Sequence, residues 1–263
     1  MIAVIPWFDV PMVEIPLPGG RALPIHGFGV LVALGFLIGG RVAMNRAARI
    51  GLDPERINQV VGWLVVGTFI GGHVGFGLMY QPAEYFADPI KFLQFWHGLS
   101  SFGGFVVCVP LAIYFFAKYR LPVWPYLDCL AHGFAMGWFF GRMGCFVAHD
   151  HPGSVSDFPL AVMGICRDGP ANVACHDMGL YEAIWSIATY GLFVVLDRVR
   201  TWPAGFFTLA IGLLYGPLRF FMDFLRPEAS DPRYFGYTPG QYGSLLLTGV
   251  CLFFLTRLRS REG

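Results

Sequence analysis

The sequence predicts an all-α membrane protein, a single polytopic domain over residues 1–263 with seven transmembrane helices. Only 13% of the residues are charged and 56% are hydrophobic, and the mean hydropathy is +0.57. A soluble domain carries about 25% charged residues. Apolar runs near the ~20 residues of a spanning helix recur along the chain. The composition excludes an ordinary soluble enzyme, a disordered chain and a basic nucleic-acid binder, and a net charge of +1 identifies no partner.

The first segment, residues 1–25, is expected to form an interfacial arm. Its first 20 residues contain no Lys or Arg, so they lack the charged start of a signal peptide. Asp9, Glu14 and four prolines would interrupt a spanning helix. Trp7 and Phe8 suit the headgroup level, as part of a short amphipathic element.

Seven apolar segments after the arm are predicted to cross the membrane. Pro122, Pro203 and Pro239 lie at the starts of three of them, where a missing N–H leaves no helical hydrogen bond unmade. The longest outer connection, 148–179, is expected to form a small periplasmic head. The predicted spans are 27–44, 57–80, 102–117, about 123–147, 180–196, 204–225 and 240–256.

The distribution of Lys and Arg predicts the orientation. Eleven lie in the connections on one side and at the C-terminus, and five are spread over longer connections on the other side. Because cytoplasmic loops carry the excess of Lys and Arg, the N-terminus is predicted to lie outside and the C-terminus in the cytoplasm.

Polar residues within the predicted spans converge on the level of the outer leaflet. Arg142 lies about 28 Å along the outward-running fourth span, and Arg219 about 22 Å along the sixth. His26 and Glu182 begin the first and fifth spans outside, and His73 reaches a similar depth in the second. Because a charged group in a bilayer costs several kcal/mol unless it is paired, each is a candidate functional residue.

The sixth span carries a polar stripe. Tyr215, Arg219 and Asp223 are spaced by four residues and Arg226 follows by three, so all lie within about 80° of one helix face. Asp223 is placed to pair with either arginine. Together with Arg142, Arg219 would supply two planar guanidinium groups, which bind a phosphate such as a phospholipid headgroup.

Simpler explanations stay open for several of these residues. Arg142 and Arg219 could be interfacial side chains that bind lipid only for structural reasons. Tyr215 could belong to the aromatic belt, and Glu182 could cap the fifth span. Asp128, at the cytoplasmic end of the fourth span, is expected to be solvated.

No metal and no cofactor are expected. The tripeptide 149–151, His-Asp-His, resembles a ligand cluster, but alternating ligands need extended backbone and a third partner, for which His176 is the candidate. Cys166 and Cys175 share the outer connection 148–179. In an oxidising periplasm they either form a disulfide or stay as free thiols.

These motifs, in their order and spacing, resemble the bacterial prolipoprotein diacylglyceryl transferases. The resemblance runs from the Phe8-Asp9 arm to Gln241. Its strongest parts are Gly141-Arg142-Met143-Gly144, Leu180-Tyr181-Glu182-Ala183 and the stripe from Tyr215 to Arg226. Supporting parts are His26, the glycine-rich stretch around His73, Phe86-Ala87-Asp88-Pro89, the double glycine Gly103-Gly104, and Gly240-Gln241.

The resemblance implies an activity at the outer leaflet of the bacterial inner membrane. The diacylglyceryl group of phosphatidylglycerol would pass to the lipobox cysteine in the signal peptide of a prolipoprotein, and glycerol phosphate would leave. Membrane lipids would be further partners, and neither a metal nor a cofactor is implied. The expected substrate-binding residues are Arg142, Arg219, Arg226, Tyr215, Asp223, Glu182, His73, Gly103, Gly104 and Gly153.

The sequence departs from the family pattern where a catalytic base is expected. Phe102 replaces the family's histidine before the double glycine, Cys145 replaces an asparagine, and His73 replaces an arginine. The resemblance therefore implies a divergent member of the family: an active transferase with a rearranged base, one with an unusual acceptor, or an inactive relative.

We expect His151 or His149 to supply the missing base. The tripeptide leaves the fourth span seven residues after Arg142, and a histidine titrates near neutrality. Asp150 or His26 would orient the ring. His97 is the rival candidate, and a further alternative is that the thiol ionises without a protein base.

Two other functions compete with this one. A second lipid-headgroup enzyme on the same scaffold would use another thiol or a hydroxyl as acceptor. A transporter or channel would place its charges near the midplane, often with paired broken helices. The charges here lie at one interface and no paired repeat is evident, so transport ranks last.

Overall fold

A computed structural model of the protein describes residues 5–17, 21–94, 98, 100–167, 170–227, 230 and 233–259. These residues are mostly helical. The α-helices are α1 (Gly27–Arg49), α2 (Pro54–Tyr80), α3 (Pro82–Ala87), α4 (Ser101–Lys118), α5 (Val123–Ala148), α6 (Met178–Val199), α7 (Phe206–Met222) and α8 (Pro239–Arg259).

Each of the seven predicted spans falls on a helix. They correspond to α1, α2, α4, α5, α6, α7 with the 3-10 turn Asp223–Leu225, and α8. Within the described part of the chain, four helical segments are long and apolar enough to cross a membrane: Gly27–Arg49, Pro54–Tyr80, Met178–Val199 and Phe206–Leu225. These helices agree with the prediction from composition that the chain is a membrane protein.

The prediction of an all-α protein was too narrow, because the described residues also form two small antiparallel sheets. The arm forms a hairpin of β1 (Met12–Leu17) and β2 (Arg21–His26), with Met12 opposite His26. The prolines that exclude a helix there are compatible with an isolated two-stranded hairpin. His26 ends β2, and α1 begins at the next residue.

The second sheet lies within the connection 148–179. Its strands β3 (Pro152–Val155), β4 (Val162–Met163) and β5 (Ala174–Asp177) are arranged in the order β3-β5-β4. A disulfide joins Cys166 to Cys175, with 5.4 Å between the two Cα atoms. Ile5 of the arm forms a bridge to Val162, so the hairpin arm and this sheet belong to one packed region.

The chain divides into two compact units, Met44–Tyr126 and the remainder, Met1–Ala43 with Leu127–Gly263. In the smaller unit, α2 packs closely on α4. A Cβ atom added at Gly75 would lie 2.5 Å from the Cα atom of Gly103. Glycine at both positions permits this backbone approach, as is common between membrane helices.

The larger unit contains the polar residues of α5, α6 and α7. Helices α1 and α5 meet at Gly39 and Gly133, where an added Cβ on Gly39 would lie 2.6 Å from the Gly133 carbonyl oxygen. Asp128 of α5 is buried and accepts hydrogen bonds from the amides of Gly205 (2.7 Å) and Thr208 (2.8 Å). The expectation that Asp128 is solvated is therefore wrong. The start of α7 packs on Asp128, whose carboxylate caps the first amides of that helix.

Candidate active site

A buried carboxylate on α6 joins arginines from two other helices. Glu182 has no exposed surface. Its Oε2 atom lies 2.8 Å from Nε of Arg142 on α5, and its Oε1 atom lies 3.4 Å from Nη1 of Arg219 on α7. The two arginines that the sequence predicts at one depth thus contact the same side chain.

The close packing of α6 on α5 brings Glu182 to this position. A Cβ atom added at Gly179, one turn before Glu182, would lie 2.8 Å from the backbone nitrogen of Phe146. Oε2 of Glu182 also accepts hydrogen bonds from Trp138 Nε1 (3.1 Å) and the Tyr215 hydroxyl (3.3 Å). Four donors therefore surround this carboxylate, which compensates for its burial.

A second buried carboxylate holds Arg219 from the other side. Oδ1 of Asp223 lies 3.0 Å from Nη2 of Arg219 and 3.4 Å from Nε of Arg226. The hydroxyl of Thr238 donates to Oδ2 of Asp223. The predicted pairing of Asp223 with its neighbours on the stripe is confirmed, and it includes both arginines. Thr238 was missed because no local pattern links it to α7.

This group of side chains, termed the arginine cluster, can attract an anion. It contains the guanidinium groups of Arg142, Arg219 and Arg226 and the carboxylates of Glu182 and Asp223. Its formal charge is therefore one positive unit. Each guanidinium group has five N–H donors and none of the three side chains is fully buried, an arrangement that suits contact with phosphate oxygens.

A second group, the thiol cluster, consists of Cys145, Asp150 and His151. Ligand atoms from the three side chains all lie within 4.8 Å of one another, and Nδ1 of His151 is paired with Oδ1 of Asp150. His149 adopts a left-handed backbone conformation (φ 51°), and the Asp150 amide then bonds back to the Cys145 carbonyl (3.4 Å). This tight turn at the end of α5 folds Asp150 onto Cys145.

Arg142 connects the two clusters. Its Nε atom faces Glu182, while its Nη1 atom lies 3.8 Å from Sγ of Cys145. The guanidinium carbon also lies 4.5 Å from the centre of the Trp138 ring. Trp138 precedes Arg142 by one helical turn, a spacing that could have indicated this contact.

His149 faces away from the thiol cluster and contacts the arm. Its Nε2 atom lies 3.0 Å from the carbonyl oxygen of Phe8. Its ring centre lies 4.7 Å from that of Trp7 and 4.4 Å from that of Phe8. The structure therefore separates the two base candidates, with His151 beside Asp150 and Cys145 and His149 against the arm.

A cavity of about 650 Å³ adjoins the thiol cluster. His26 and Asp150 line it, together with Val10, Pro24, Ile25, Phe28, Gly29, Val30 and Ala148. The cavity thus combines an apolar wall with one imidazole and one carboxylate.

Gly153, a predicted substrate-binding residue, is a packing position. A Cβ atom there would lie 2.7 Å from both the Cβ of His176 and the carbonyl oxygen of Leu225.

Three predicted site residues belong to the unit Met44–Tyr126. His73 is buried, with Nε2 2.9 Å from the Lys91 carbonyl oxygen and Nδ1 3.3 Å from that of Gly98. Gly103 packs against α2, and Gly104 is also buried. His97 and the side chain of Phe102 lie outside the described residues.

A buried aspartate that the sequence analysis did not single out lies at the start of α6. Oδ1 of Asp177 accepts a hydrogen bond from the Leu180 amide (2.8 Å), and burial raises the pKa of Asp177 to about 6. Its Oδ2 atom has no hydrogen-bond partner among the described residues. Burial also lowers the pKa of the neighbouring His176. Asp177 could have been found from the sequence, because an aspartate just before a predicted helix is a common N-cap residue.

Known proteins resemble the chain over nearly its full length. The family model described as "Prolipoprotein diacylglyceryl transferase" matches residues 19–257. The Phosphatidylglycerol--prolipoprotein diacylglyceryl transferase of Chromohalobacter salexigens is 32% identical over 233 residues, covering 87% of this chain and 85% of that protein. Proteins of the same name from Ruegeria pomeroyi and Nitratidesulfovibrio vulgaris are each 30% identical, covering 92% and 90% of this chain and 92% and 91% of their own lengths.

Proposed function

Because the chain belongs to the prolipoprotein diacylglyceryl transferase family, we propose that it transfers the diacylglyceryl group of phosphatidylglycerol to the lipobox cysteine of a prolipoprotein. The names of the relatives give the donor lipid and the acceptor protein. The structural observation that carries the proposal is the pairing of Arg142 and Arg219 with one buried carboxylate, Glu182.

The arginine cluster suits the leaving group of this reaction. The acceptor thiolate attacks the glyceryl carbon that bears the phosphate. A C–S bond forms while the C–O bond breaks, and its electron pair stays on the oxygen of the departing glycerol phosphate. Arg142 and Arg219 stabilise the charge that develops there, since preorganised donors are most effective where charge appears in the transition state. Glu182 fixes both guanidinium groups before substrate binds.

The thiol cluster suits activation of the acceptor. A thiol must lose its proton before it attacks. Asp150 lines the cavity and pairs with His151, so we assign thiol activation to this pair. His26 lines the same cavity and is available to receive the proton. The contact of His149 with Phe8 favours His151 over His149 in this role.

We extend the proposal to the membrane arrangement. All seven long helices cross the bacterial inner membrane, with the N-terminus in the periplasm and the C-terminus in the cytoplasm. The excess of eleven Lys and Arg over five supports this orientation. The sheet of the 148–179 connection then lies on the periplasmic side, next to the ends of α5 and α6 that carry Arg142 and Glu182.

An assay with purified protein tests the function. Phosphatidylglycerol and a lipobox peptide should yield a peptide heavier by one diacylglyceryl group, held by a thioether and detected by mass spectrometry. A peptide with Ser in place of Cys, and phosphatidylethanolamine in place of phosphatidylglycerol, are the matched controls. Equal product with the Ser peptide or the second lipid would contradict the proposed acceptor or donor, and no product with any pair would contradict transferase activity.

A further inference from the structure

The start of α8 packs directly on the arginine cluster. Thr238 and Gln241 are buried at this end of the helix. A Cβ atom added at Gly240 would lie 2.6 Å from Oδ2 of Asp223 and 3.5 Å from Nη2 of Arg219, an approach that any larger residue would hinder. We propose that Thr238 is a positioning residue for phosphate binding: its hydroxyl orients Asp223, which in turn orients Arg219. This inference rests on the transferase function proposed above.

Thr238 and Gln241 form a capping box just before and within the first turn of α8. The Gln241 amide donates to the Thr238 hydroxyl oxygen (3.1 Å), and the Thr238 amide donates to Oε1 of Gln241 (3.0 Å). The residues 238–241, Thr-Pro-Gly-Gln, match the pattern S/T-x-x-E/Q. The side-chain amide of Gln241 also donates to the carbonyl of Phe220 on α7 (3.2 Å). The capping box is therefore fixed against α7 as well as against its own helix.

The capping box determines the direction in which the Thr238 hydroxyl donates. A hydroxyl group has one proton and two acceptor lone pairs. The oxygen accepts from the Gln241 amide, and the proton is donated to Oδ2 of Asp223. Because Thr238 is only 3% exposed, water has little access to the hydroxyl, and the carboxylate is its acceptor. The bond is charge-assisted, which makes it stronger than a bond between two neutral groups.

Asp223 transmits this orientation to the arginines. Its Oδ1 atom lies 3.0 Å from Nη2 of Arg219 and 3.4 Å from Nε of Arg226. The two oxygens of a carboxylate turn together, so a bond that fixes Oδ2 also fixes Oδ1. Arg219 is then held by Asp223 on one side and by Glu182 on the other. A phosphate that binds Arg219 therefore contacts a group whose orientation is set before the phosphate arrives.

A role in capping alone would have a different consequence. An N-cap threonine stabilises its helix whether or not an acidic side chain lies nearby. Loss of the Thr238 hydroxyl should lower the melting temperature in either case. A positioning role requires in addition that the loss weaken phosphate binding, and that it do so only while Asp223 is present.

Binding of glycerol phosphate, the leaving group of the proposed reaction, tests the inference without turnover. Full-length protein in detergent is titrated with it by calorimetry. We expect about 10-fold weaker binding in Thr238→Val, within the roughly 10- to 100-fold that one hydrogen bond to a charged group contributes. Thr238→Ser, which keeps the hydroxyl, should bind like the wild type. Thr238→Gly should weaken binding as Val does but change the melting temperature little, because glycine is tolerated at an N-cap.

Thr248→Val is the matched control. Thr248 lies on the same helix, packs against Gly216 of α7, and donates to the Ser244 carbonyl (2.8 Å). The same loss of a hydroxyl between the same two helices should leave glycerol phosphate binding unchanged.

A double-mutant cycle tests whether Thr238 acts through Asp223. In an Asp223→Ala background, Thr238→Val should have little further effect on glycerol phosphate binding, since the carboxylate that it orients is gone. Equal weakening with and without Asp223 overturns the inference. Wild-type binding in both Thr238→Val and Thr238→Gly overturns it as well, and so does a wild-type protein that binds no glycerol phosphate.

Thioether formation separates this inference from the proposed function. Thr238→Val should lower kcat and leave the KM for the lipobox peptide unchanged, and Thr238→Ser should restore kcat. Unchanged kcat in Thr238→Val contradicts the positioning role and leaves the transferase function intact. If the binding results hold but the wild type converts no lipobox peptide, the transferase function is wrong and the role of Thr238 in phosphate binding stands.

Discussion

The substitution Glu182→Gln should lower both the stability of the fold and the rate of catalysis. Oε2 of Glu182 forms an ion pair with Arg142 and accepts hydrogen bonds from Trp138 and Tyr215, and Oε1 accepts one from Arg219. A glutamine with its oxygen at the Oε2 position keeps three of these contacts. Its NH₂ group then faces the Arg219 guanidinium, so that two hydrogen-bond donors oppose each other. Arg142 and Arg219 also lose the negative charge that they share in the wild type.

The magnitude follows from these contacts. Removing one partner of a buried ion pair costs about 3–5 kcal/mol. Arg219 keeps Asp223 at 3.0 Å, so we expect the lower end, about 3 kcal/mol. At about 2–4 °C per kcal/mol for a chain of this size, the melting temperature should fall by roughly 6 to 12 °C. Turnover should fall at least about 100-fold, because both phosphate-binding groups lose their fixed orientation.

The assay compares thermal unfolding in detergent and thioether formation for each variant. Glu55→Gln is the control, since Glu55 is exposed and its carboxylate accepts hydrogen bonds from the side chains of Asn58 and Gln59 within the first turns of α2. It should melt and turn over like the wild type. A Glu182→Gln protein that melts within about 2 °C of wild type, a shift of under 1 kcal/mol, and keeps its turnover would refute the role given to Glu182.

Three further predictions concern the outer region. A reporter inserted at the exposed Pro170 should read periplasmic and one fused after Gly263 cytoplasmic; the same compartment for both would contradict the topology. The Cys166–Cys175 disulfide should block two of six cysteines from alkylation until reductant is added, and its loss should cost about 2–3 kcal/mol of unfolding free energy. Because burial raises the folded pKa of Asp177 to about 6, above its unfolded value near 4, its contribution to stability is complete below about pH 4 and is lost as pH rises through about 6. Asp177→Asn, which keeps a capping side chain, should therefore melt higher than wild type at neutral pH and equally near pH 4; equal melting at both would show that the Asp177 pKa is not raised.

Local periodicity accounts for what the sequence predicts well. The seven helices follow from apolar runs longer than the surrounding turns. The contacts of Asp223 with Arg219 and Arg226 follow from spacings of four and three residues, which a helix converts directly into proximity. The sequence also places Arg142 and Arg219 at one depth, because depth depends only on the rise per residue.

Non-local packing decides the rest of the site. Glu182 lies between Arg142 and Arg219 because α6 approaches α5 at Gly179, and no pattern within one helix encodes that contact. The same holds for Asp128, whose partners are the amides of Gly205 and Thr208 in a distant segment.

The thiol cluster was also beyond local reasoning. It depends on the left-handed backbone conformation of His149. A histidine adopts that conformation uncommonly, so the residue type at this position gave no reason to predict it. The strands of the 148–179 connection are two to four residues long and are stabilised by pairing across the sheet, such as that of Pro152 with Asp177. Such short strands carry no readable alternation.

The most direct test of the central claim is the rate of thioether formation by Arg142→Ala and Arg219→Ala. The exposed Arg41→Ala serves as control, and each protein is first shown to insert and melt cooperatively. The account predicts a loss of about 10²–10³-fold for each site variant, with partial recovery by Lys, which restores the charge without the planar fork, and no loss for the control. Wild-type turnover in both correctly inserted alanine variants would contradict the phosphate-binding role of the arginine cluster.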